Sequence, residues 1–219
     1  MVDKYLDPLL TPRETARHLR IPESTMYSWL SEQAEGAPLV HRVEPAKRGW
    51  PSVPFVAVIE AYVLRTLREE LRLKKSTVRA AAAAIRRNFN TPYGLATKKV
   101  ATDGIDIFIE YAEHELARAV DGQAPIRGII ENNLRYISWD SHDDSPTRLR
   151  LQQYSNIAPV IIDPRFAWGA PVVEANRVPV DAVVNMWQAG ESIHTVAGEY
   201  GLSDDQVEEI CRTALGTAA

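Results

Sequence analysis

The side chains in this 219-residue sequence that could do chemistry are of kinds that bind rather than react. Between Leu10 and Leu30, LTPRETARHLRIPESTMYSWL, the residues Ser24, Thr25, Tyr27 and Ser28 gather hydrogen-bonding groups in one short stretch, with Thr11, Arg13 and Arg20 just upstream. Hydroxyls and guanidiniums at that density suit base edges and phosphate oxygens. Further along, Lys47 and Arg48 precede Gly49, a cationic turn of the sort that grips a phosphate backbone. Catalytic signatures do not accompany them: the chain has no P-loop, no G-x-G-x-x-G and no G-x-S-x-G. His142, Asp143 and Asp144 are adjacent in a polar stretch, and no second ligand group stands at a recognisable spacing from them. Glu110, Glu113 and His114 do not form the H-E-x-x-H pattern either. The expectation is a protein that is not an enzyme, with no catalytic residue, no metal and no cofactor.

Two short helices would position the first cluster. Thr11 is a good N-cap, Pro12 a good first helical residue, and Glu14 completes a capping box. Ala16 and Leu19 share a face, Ile21-Pro22 stops the helix, and Ser24 can cap a second one with Met26, Trp29 and Leu30 inward. The pair makes a helix-turn-helix, or else a plain helical hairpin in an all-α core. A second copy of the template lies at Ser192–Leu215, SIHTVAGEYGLSDDQVEEICRTAL. Ala16 pairs with Ala197, Ile21 with Leu202, Met26 with Val207 and Trp29 with Ile210. The outward positions of this copy are read as Asp204, Asp205, Gln206, Glu208 and Glu209, a surface that phosphate would repel.

The whole chain is divided the same way. Met1 to Val100 holds 17 Lys and Arg against 10 Asp and Glu, a net +7, and the remainder holds 8 against 19, a net −11. A basic half beside an acidic half suggests two kinds of partner. Hydrophobic residues make up 45% of the chain, enough for a core, and one cysteine excludes an internal disulfide framework and fits a reducing cytoplasm. Cys211 falls on the inward side of the last helix. No apolar run approaches a membrane span, and the N-terminus lacks a signal-peptide core.

Three regions follow in chain order. Residues 1–90 form a basic DNA-binding unit in which Leu39-Val40 and Arg42-Val43 read as strands of a β-wing tipped by Lys47 and Arg48. Phe55, Ile59, Val63 and Leu67 repeat at helical spacing, and Ser76 caps a helix holding the run Ala80–Ala84. Residues 91–158 read as a β-rich connector: Ile105 to Tyr111 alternates like a strand, Asp121-Gly122 signals a turn, and Leu134–Trp139 and Leu149–Tyr154 supply further strands around a loop, Ser138–Pro146. Residues 159–219 give paired strands and then three helices, with Val180, Val183, Val184 and Trp187 as the apolar face of the first. The fold class is therefore mainly α with small β elements (α+β).

LLTPRETARHLRIPESTMYSWL, the Arg48-Gly49 wing and EAYVLRTLREE resemble a MerR-type winged helix-turn-helix over the first third of the chain, without the long coiled coil and effector domain of the ligand-sensing members. The last quarter, IIDPRFAWGAPVVEANRVPVDAVV followed by WQAGESIHTVAGEYGLSDDQVEEI, resembles the small domain of unknown function of VapB-like antitoxins. It keeps Asp163, Pro164, Gly169, Pro171, Arg177, Pro179, Gly190, Glu191 and Ser192, and departs at Ala170 and Ala175-Asn176. The resemblance implies a long VapB-like type II antitoxin: a homodimer that binds operator DNA, represses its own operon and neutralises a PIN-like ribonuclease toxin. Arg165, Phe166, Trp168 and Arg177 are the partner-binding candidates, since such antitoxins block a carboxylate-rich nuclease site with an inserted arginine or cover it. The alternative is a stand-alone MerR-like transcriptional regulator without a toxin.

Overall fold

The first helical corner forms where local chemistry dictates. In the computed structural model, which describes residues 2–32, 37–69, 72–101, 103–116 and 124–216, helix α1 spans Pro12–Leu19 and α2 spans Glu23–Leu30. The Thr11 hydroxyl accepts from the Glu14 amide while the Glu14 carboxylate accepts from the Thr11 amide, at 3.1 and 2.8 Å, which closes the capping box. Arg20 ends α1 in a left-handed conformation, and the Ile21 amide then donates to the Ala16 carbonyl at 2.8 Å. The cap of α2 is Pro22, which has no side-chain acceptor, so Ser24 lies inside the helix and does not cap it.

The corner rests on α3, Phe55–Glu69, in which every residue from Phe55 to Leu64 is buried. A helix apolar nearly all round belongs in a core, and α1, α4 (Lys75–Asn88), α6 (Ala124–Leu134) and the sheet all pack against it. α4 begins two residues earlier than expected, with Lys74 rather than Ser76 in the cap position. The one-turn helix Gly94–Ala96 approaches the end of α4 so closely that a Cβ on Gly94 would lie 2.9 Å from Ile85 Cγ2.

The segment Ile105–Tyr111 is not a strand. It belongs to α5, Asp103–Leu116. Asp103 and Asp106 sit in the first turn, where the helix dipole favours negative charge. Ile105 and Phe108, three residues apart, are both buried, and α5 lies against α4. The apparent period of two came from an isoleucine at each alternate position, two of which (Ile107 and Ile109) are only half-buried. The Asp121-Gly122 turn lies outside the described residues.

Strands appear later, as β1 (Ile137–Trp139), β2 (Pro146–Arg150), β3 (Val160–Ile162) and β4 (Val172–Val173). They form an antiparallel sheet in chain order, with Ile137 opposite Leu149, Leu149 opposite Ile162 and Val160 opposite Val173. The expected loop Ser138–Pro146 is thus shorter, since both of its ends are strand, and the chain beyond Arg150 leaves the ladder in a turn closed by the Tyr154 amide on the Leu151 carbonyl. The sheet runs without interruption from the middle region into the C-terminal one. There α7 (Val180–Gln188), α8 (Ile193–Tyr200) and α9 (Asp204–Leu215) follow.

The α8–α9 corner repeats the first in its particulars. Ser192 caps α8, Gly201 takes the left-handed position of Arg20, and the Leu202 amide donates to the Ala197 carbonyl at 3.0 Å. Ala197, Val207 and Ile210 are buried as Ala16, Met26 and Trp29 are. Two residues depart from expectation. Glu209 is buried at 7% exposure, where its carboxylate accepts from the Ser155 amide. Trp187 is 37% exposed, because the core face of α7 is completed by Val180, Val183 and Val184 before the helix ends at Gln188.

Candidate nucleic-acid interface and partner loop

Helix α2 turns Met26, Trp29 and Leu30 into the core and leaves Ser24 and Tyr27 exposed, with Thr25 and Ser28 half-buried. Tyr27 keeps 50% of its surface in solvent. Ser28 accepts from Lys75 Nζ of α4 at 2.9 Å, so a cation lies on the same face as the hydroxyls. Arg13 and Arg20 are exposed, and Arg13 pairs with Glu23 at 3.1 Å. The Thr11 hydroxyl is committed to its cap.

The expected wing has no paired strands. Leu39 and Val40 both donate to the Trp29 carbonyl instead, and the Val43 amide on the Ser52 carbonyl, at 2.9 Å, closes the loop. Pro45, Gly49 and Pro51 explain this, because two prolines remove ladder donors and Gly49 turns the chain at φ +84°. The loop still presents Lys47 and Arg48 to solvent, with Lys47 Nζ 5.2 Å from the centre of the exposed Trp50 ring.

A buried ionic cluster with no local signature in the sequence holds this region together. Glu60 in α3 is fully buried. Its Oε2 lies 2.8 Å from both the amide nitrogen and Nδ1 of His41, and its Oε1 lies 3.3 Å from Arg86 Nη2. Arg86 also donates to the carbonyls of Pro38 and Leu39, and Arg79 to that of Ala37. Arg79 and Arg86 are therefore structural: they fasten the segment after α2 onto α3 and α4.

The four partner-loop candidates come together. Arg165 and Arg177 flank Phe166, with their guanidinium carbons 5.5 and 4.8 Å from the ring centre. Arg165 is held by both oxygens of the buried Asp163, at 2.6 to 3.3 Å. Burial disfavours the Asp163 charge, yet the hydrogen bonds from Arg165 outweigh it and hold the carboxyl below its ordinary range. Arg177 bonds the Glu174 carbonyl. Ala167, Trp168 and Gly169 take three successive positive φ values, 45°, 52° and 78°, which turn Trp168 outward at 76% exposure. Gly169 in turn lies against Leu9, where a Cβ would meet the leucine side chain at 2.8 Å.

The two ends of the chain touch. Gln153 Nε2 donates to the His18 carbonyl at 2.8 Å, and Arg17 pairs with Asp181 of α7 at 3.5 Å. Around them is a cleft of about 280 Å³ lined by His18, Tyr154 and Val184 among others. Burial, and next the neighbouring Arg17 charge, pushes His18 down to about 4, while burial and the Asp181 charge push Tyr154 up to about 12. Burial also raises the Cys211 thiol, which packs inside α9. The carboxylates of Asp140 and Asp143 accept from the amides of His142 and Ser145, so they fold their own loop. Among the described residues there is no cluster of three or more His, Cys, Asp or Glu placed to hold a metal, and no helix long and apolar enough to cross a membrane.

Comparison with known proteins finds family models for two stretches of the chain. Residues 8–82 match a family described as "Putative DNA-binding HTH domain", and residues 160–212 match "Protein of unknown function (DUF433)". "Putative antitoxin VapB45" of Mycobacterium tuberculosis is 28% identical over 223 aligned residues, covering 92% of each chain. The chain resembles a long VapB-like antitoxin. The crystal structure of Rv2018 from Mycobacterium tuberculosis has the same architecture, with a TM-score of 0.76 and 28% identity over 97% of this chain and 100% of that one. The match over residues 8–82 contains the whole α1–α2 corner, the Lys47-Arg48 loop, His41 and Glu60, and stops short of Arg86.

Proposed function

We propose that the protein is a non-enzymatic antitoxin of a type II toxin–antitoxin system, acting in the cytoplasm. Its first region, residues 1–90, reads operator DNA, and its C-terminal region, residues 159–219, holds a PIN-like ribonuclease toxin, with residues 91–158 joining them. The observation that carries this reading is the likeness to a VapB-type protein along nearly the whole chain, with a DNA-binding helix-turn-helix at one end. α2 enters the major groove with Ser24, Thr25, Tyr27 and Ser28 toward the bases, while Arg13, Arg20, Lys47 and Arg48 take phosphates. A homodimer sets two such helices on a two-fold operator, and binding there represses the operon. Trp168 is the partner anchor, with Arg177 and Phe166 beside it, since exposed aromatics enrich at the centres of interfaces. Arg165, already paired with Asp163, orders the loop rather than reaching into a nuclease site.

Fluorescence anisotropy on a duplex spanning the DNA upstream of the gene tests the first half. Lys47→Ala with Arg48→Ala weakens binding to all sequences and flattens the slope of log K against log salt by about 2, one for each phosphate that is no longer neutralised. Equal affinity of this variant and the wild type at two salt concentrations would falsify the role of the Lys47-Arg48 loop. Co-expression with the product of the neighbouring gene tests the second half: a stable complex with suppressed ribonuclease activity is expected, and a free, active neighbour overturns the antitoxin reading.

A further inference from the structure

Three arginines in the acidic half of the chain converge where no assigned function requires them. Arg148 and Arg150 lie two residues apart on β2 and so project from the same face of the sheet. The register sets Ser138 of β1 opposite Arg148, and the Arg150 amide donates to the Tyr136 carbonyl, which puts both neighbours beside the guanidiniums. Arg135 completes the set, its guanidinium carbon 5.2 Å from the Tyr136 ring centre. Together with Gln152, Tyr154, Ser155 and Asn156 these side chains line a groove of about 660 Å³.

The charge of this groove is not balanced from within. Its lining holds three guanidiniums and one carboxylate, Glu174, which meets Arg148 at 2.8 Å. Arg150 reaches a neutral partner, Asn156 Oδ1, at 2.6 Å. Two guanidiniums on one face of the same strand repel each other and attract an anion placed between them. Each guanidinium has five N–H donors in a planar fork that fits phosphate two at a time. Tyr136, whose hydroxyl accepts from Arg135 at 3.4 Å, offers an aromatic ring for a base, and Ser138, Gln152 and Asn156 supply the amides and hydroxyl that sugar and base edges take. The volume lies in the range of small-ligand sites.

We infer that the groove over β1 and β2 binds a nucleotide phosphate, with its base against Tyr136. The phosphate can belong to a free nucleotide or to a single strand of nucleic acid. The groove is separate from α2 and from the Lys47-Arg48 loop, and on one side it adjoins the Trp168 loop through Glu174, whose carbonyl accepts from Arg177.

The test uses the full chain carrying Lys47→Ala and Arg48→Ala, which removes the Lys47-Arg48 loop from competition. Binding is followed by the anisotropy of a fluorescein-labelled eight-nucleotide RNA of mixed sequence, and by calorimetry with ADP. Saturable binding of at least one probe is expected. Displacement of the RNA by ADP identifies a nucleotide site, and displacement by unlabelled RNA alone identifies a strand site. Adding Arg148→Ala and Arg150→Ala lowers affinity at least tenfold, and Arg148→Lys with Arg150→Lys in their place restores little of it. Where the alanine pair fails to fold, exposed Arg135→Ala is read instead, with a three- to tenfold loss expected. Binding of neither probe, affinity within twofold of the parent in a folded variant, or adenosine competing as well as ADP would each overturn the proposal.

Discussion

The two helix-turn-helix corners are one backbone solution with opposite surfaces. Thr11 and Ser192 cap the first helices, Arg20 and Gly201 turn the chain in the left-handed region, and Ala16 and Ala197 lie buried where the helices meet. Only the outward residues diverge. α2 shows hydroxyls and Tyr27 beside the basic loop, and α9 shows Asp204, Asp205 and Glu208. Interior positions answer to packing, which is indifferent to the charge outside, so one architecture can face a polyanion at one end and a protein at the other.

Each corner is also tied to the rest of the molecule by a buried glutamate, and there the copies differ most in energy. Glu60 is fully buried between His41 and Arg86. Glu209 accepts from the Ser155 amide and pairs with Arg212, whose side chain is 69% exposed. Burial works against the Glu209 charge, yet the hydrogen bonds from Arg212 and Ser155 prevail and keep its carboxyl low. Glu60→Ala leaves Arg86 without its carboxylate in a dry site, an expected loss of about 3–5 kcal/mol. Glu209→Ala loses about 1 kcal/mol, the usual net worth of a hydrogen bond, because the Ser155 amide and Arg212 can turn to water. Urea unfolding of both variants checks the order, and equal losses would mean that the two corners are anchored alike.

The corners were legible in the sequence because the signals that build them are local. Capping boxes, a stop at Ile21-Pro22 or Gly201-Leu202, and apolar spacing of three and four all act within one or two turns. The Glu60 cluster joins residues 19 and 26 apart in sequence, and no short window contains it. The same holds for the sheet, where Leu149 meets Ile162 across a loop. Ile105–Tyr111 misled for a different reason: alternation with Asp106 and Glu110 satisfies a strand pattern, but packing of Ile105 and Phe108 against α4 decides the structure. The outward turn of Trp168 needed the three positive φ values at Ala167, Trp168 and Gly169, and the exposure of Trp187 depended on where α7 stops. The groove of Arg135, Arg148 and Arg150 needed the β1–β2 register to be seen at all.

The position of His18 separates the copies in pH response. Its counterpart in the second corner is Glu199, which is exposed. His18 is neutral in the folded chain until about pH 4, because burial and then Arg17 disfavour its proton, with Asp181 and Glu14 opposing them more weakly. The unfolded chain takes up that proton near pH 6.5. Protons therefore bind the unfolded state more readily between those values. The stability His18 contributes is complete above about pH 6.5 and falls away as pH drops toward 4. His18→Gln removes this dependence, so the urea midpoint of the variant should change less than that of the wild type between pH 7 and pH 5. Parallel curves for the two proteins would show that His18 is not the group responsible.

The finest comparison concerns the caps. If the corners are built by the same local rule, removing the cap hydroxyl from each should cost the same, whatever the surface charge. The Thr11 hydroxyl accepts from the Glu14 amide at 3.1 Å and the Ser192 hydroxyl from the Thr195 amide at 3.1 Å. Thr11→Ala and Ser192→Ala should each lose about 1 kcal/mol, the usual worth of an N-cap. The surroundings differ in one respect: Thr11 has the reciprocal carboxylate of Glu14, whereas Thr195 at the matching place offers a hydroxyl 2.8 Å from Ser192. Thr11→Ala should therefore be the costlier by a few tenths of a kcal/mol, because Glu14 loses a partner while the negative end it offers the helix dipole remains. Thermal melts of the two single variants and the double variant read this directly. Losses that add within about 0.5 kcal/mol fit two independent corners, while strong coupling would mean that the contacts of Arg17 and His18 with the C-terminal region make the two ends a single cooperative unit.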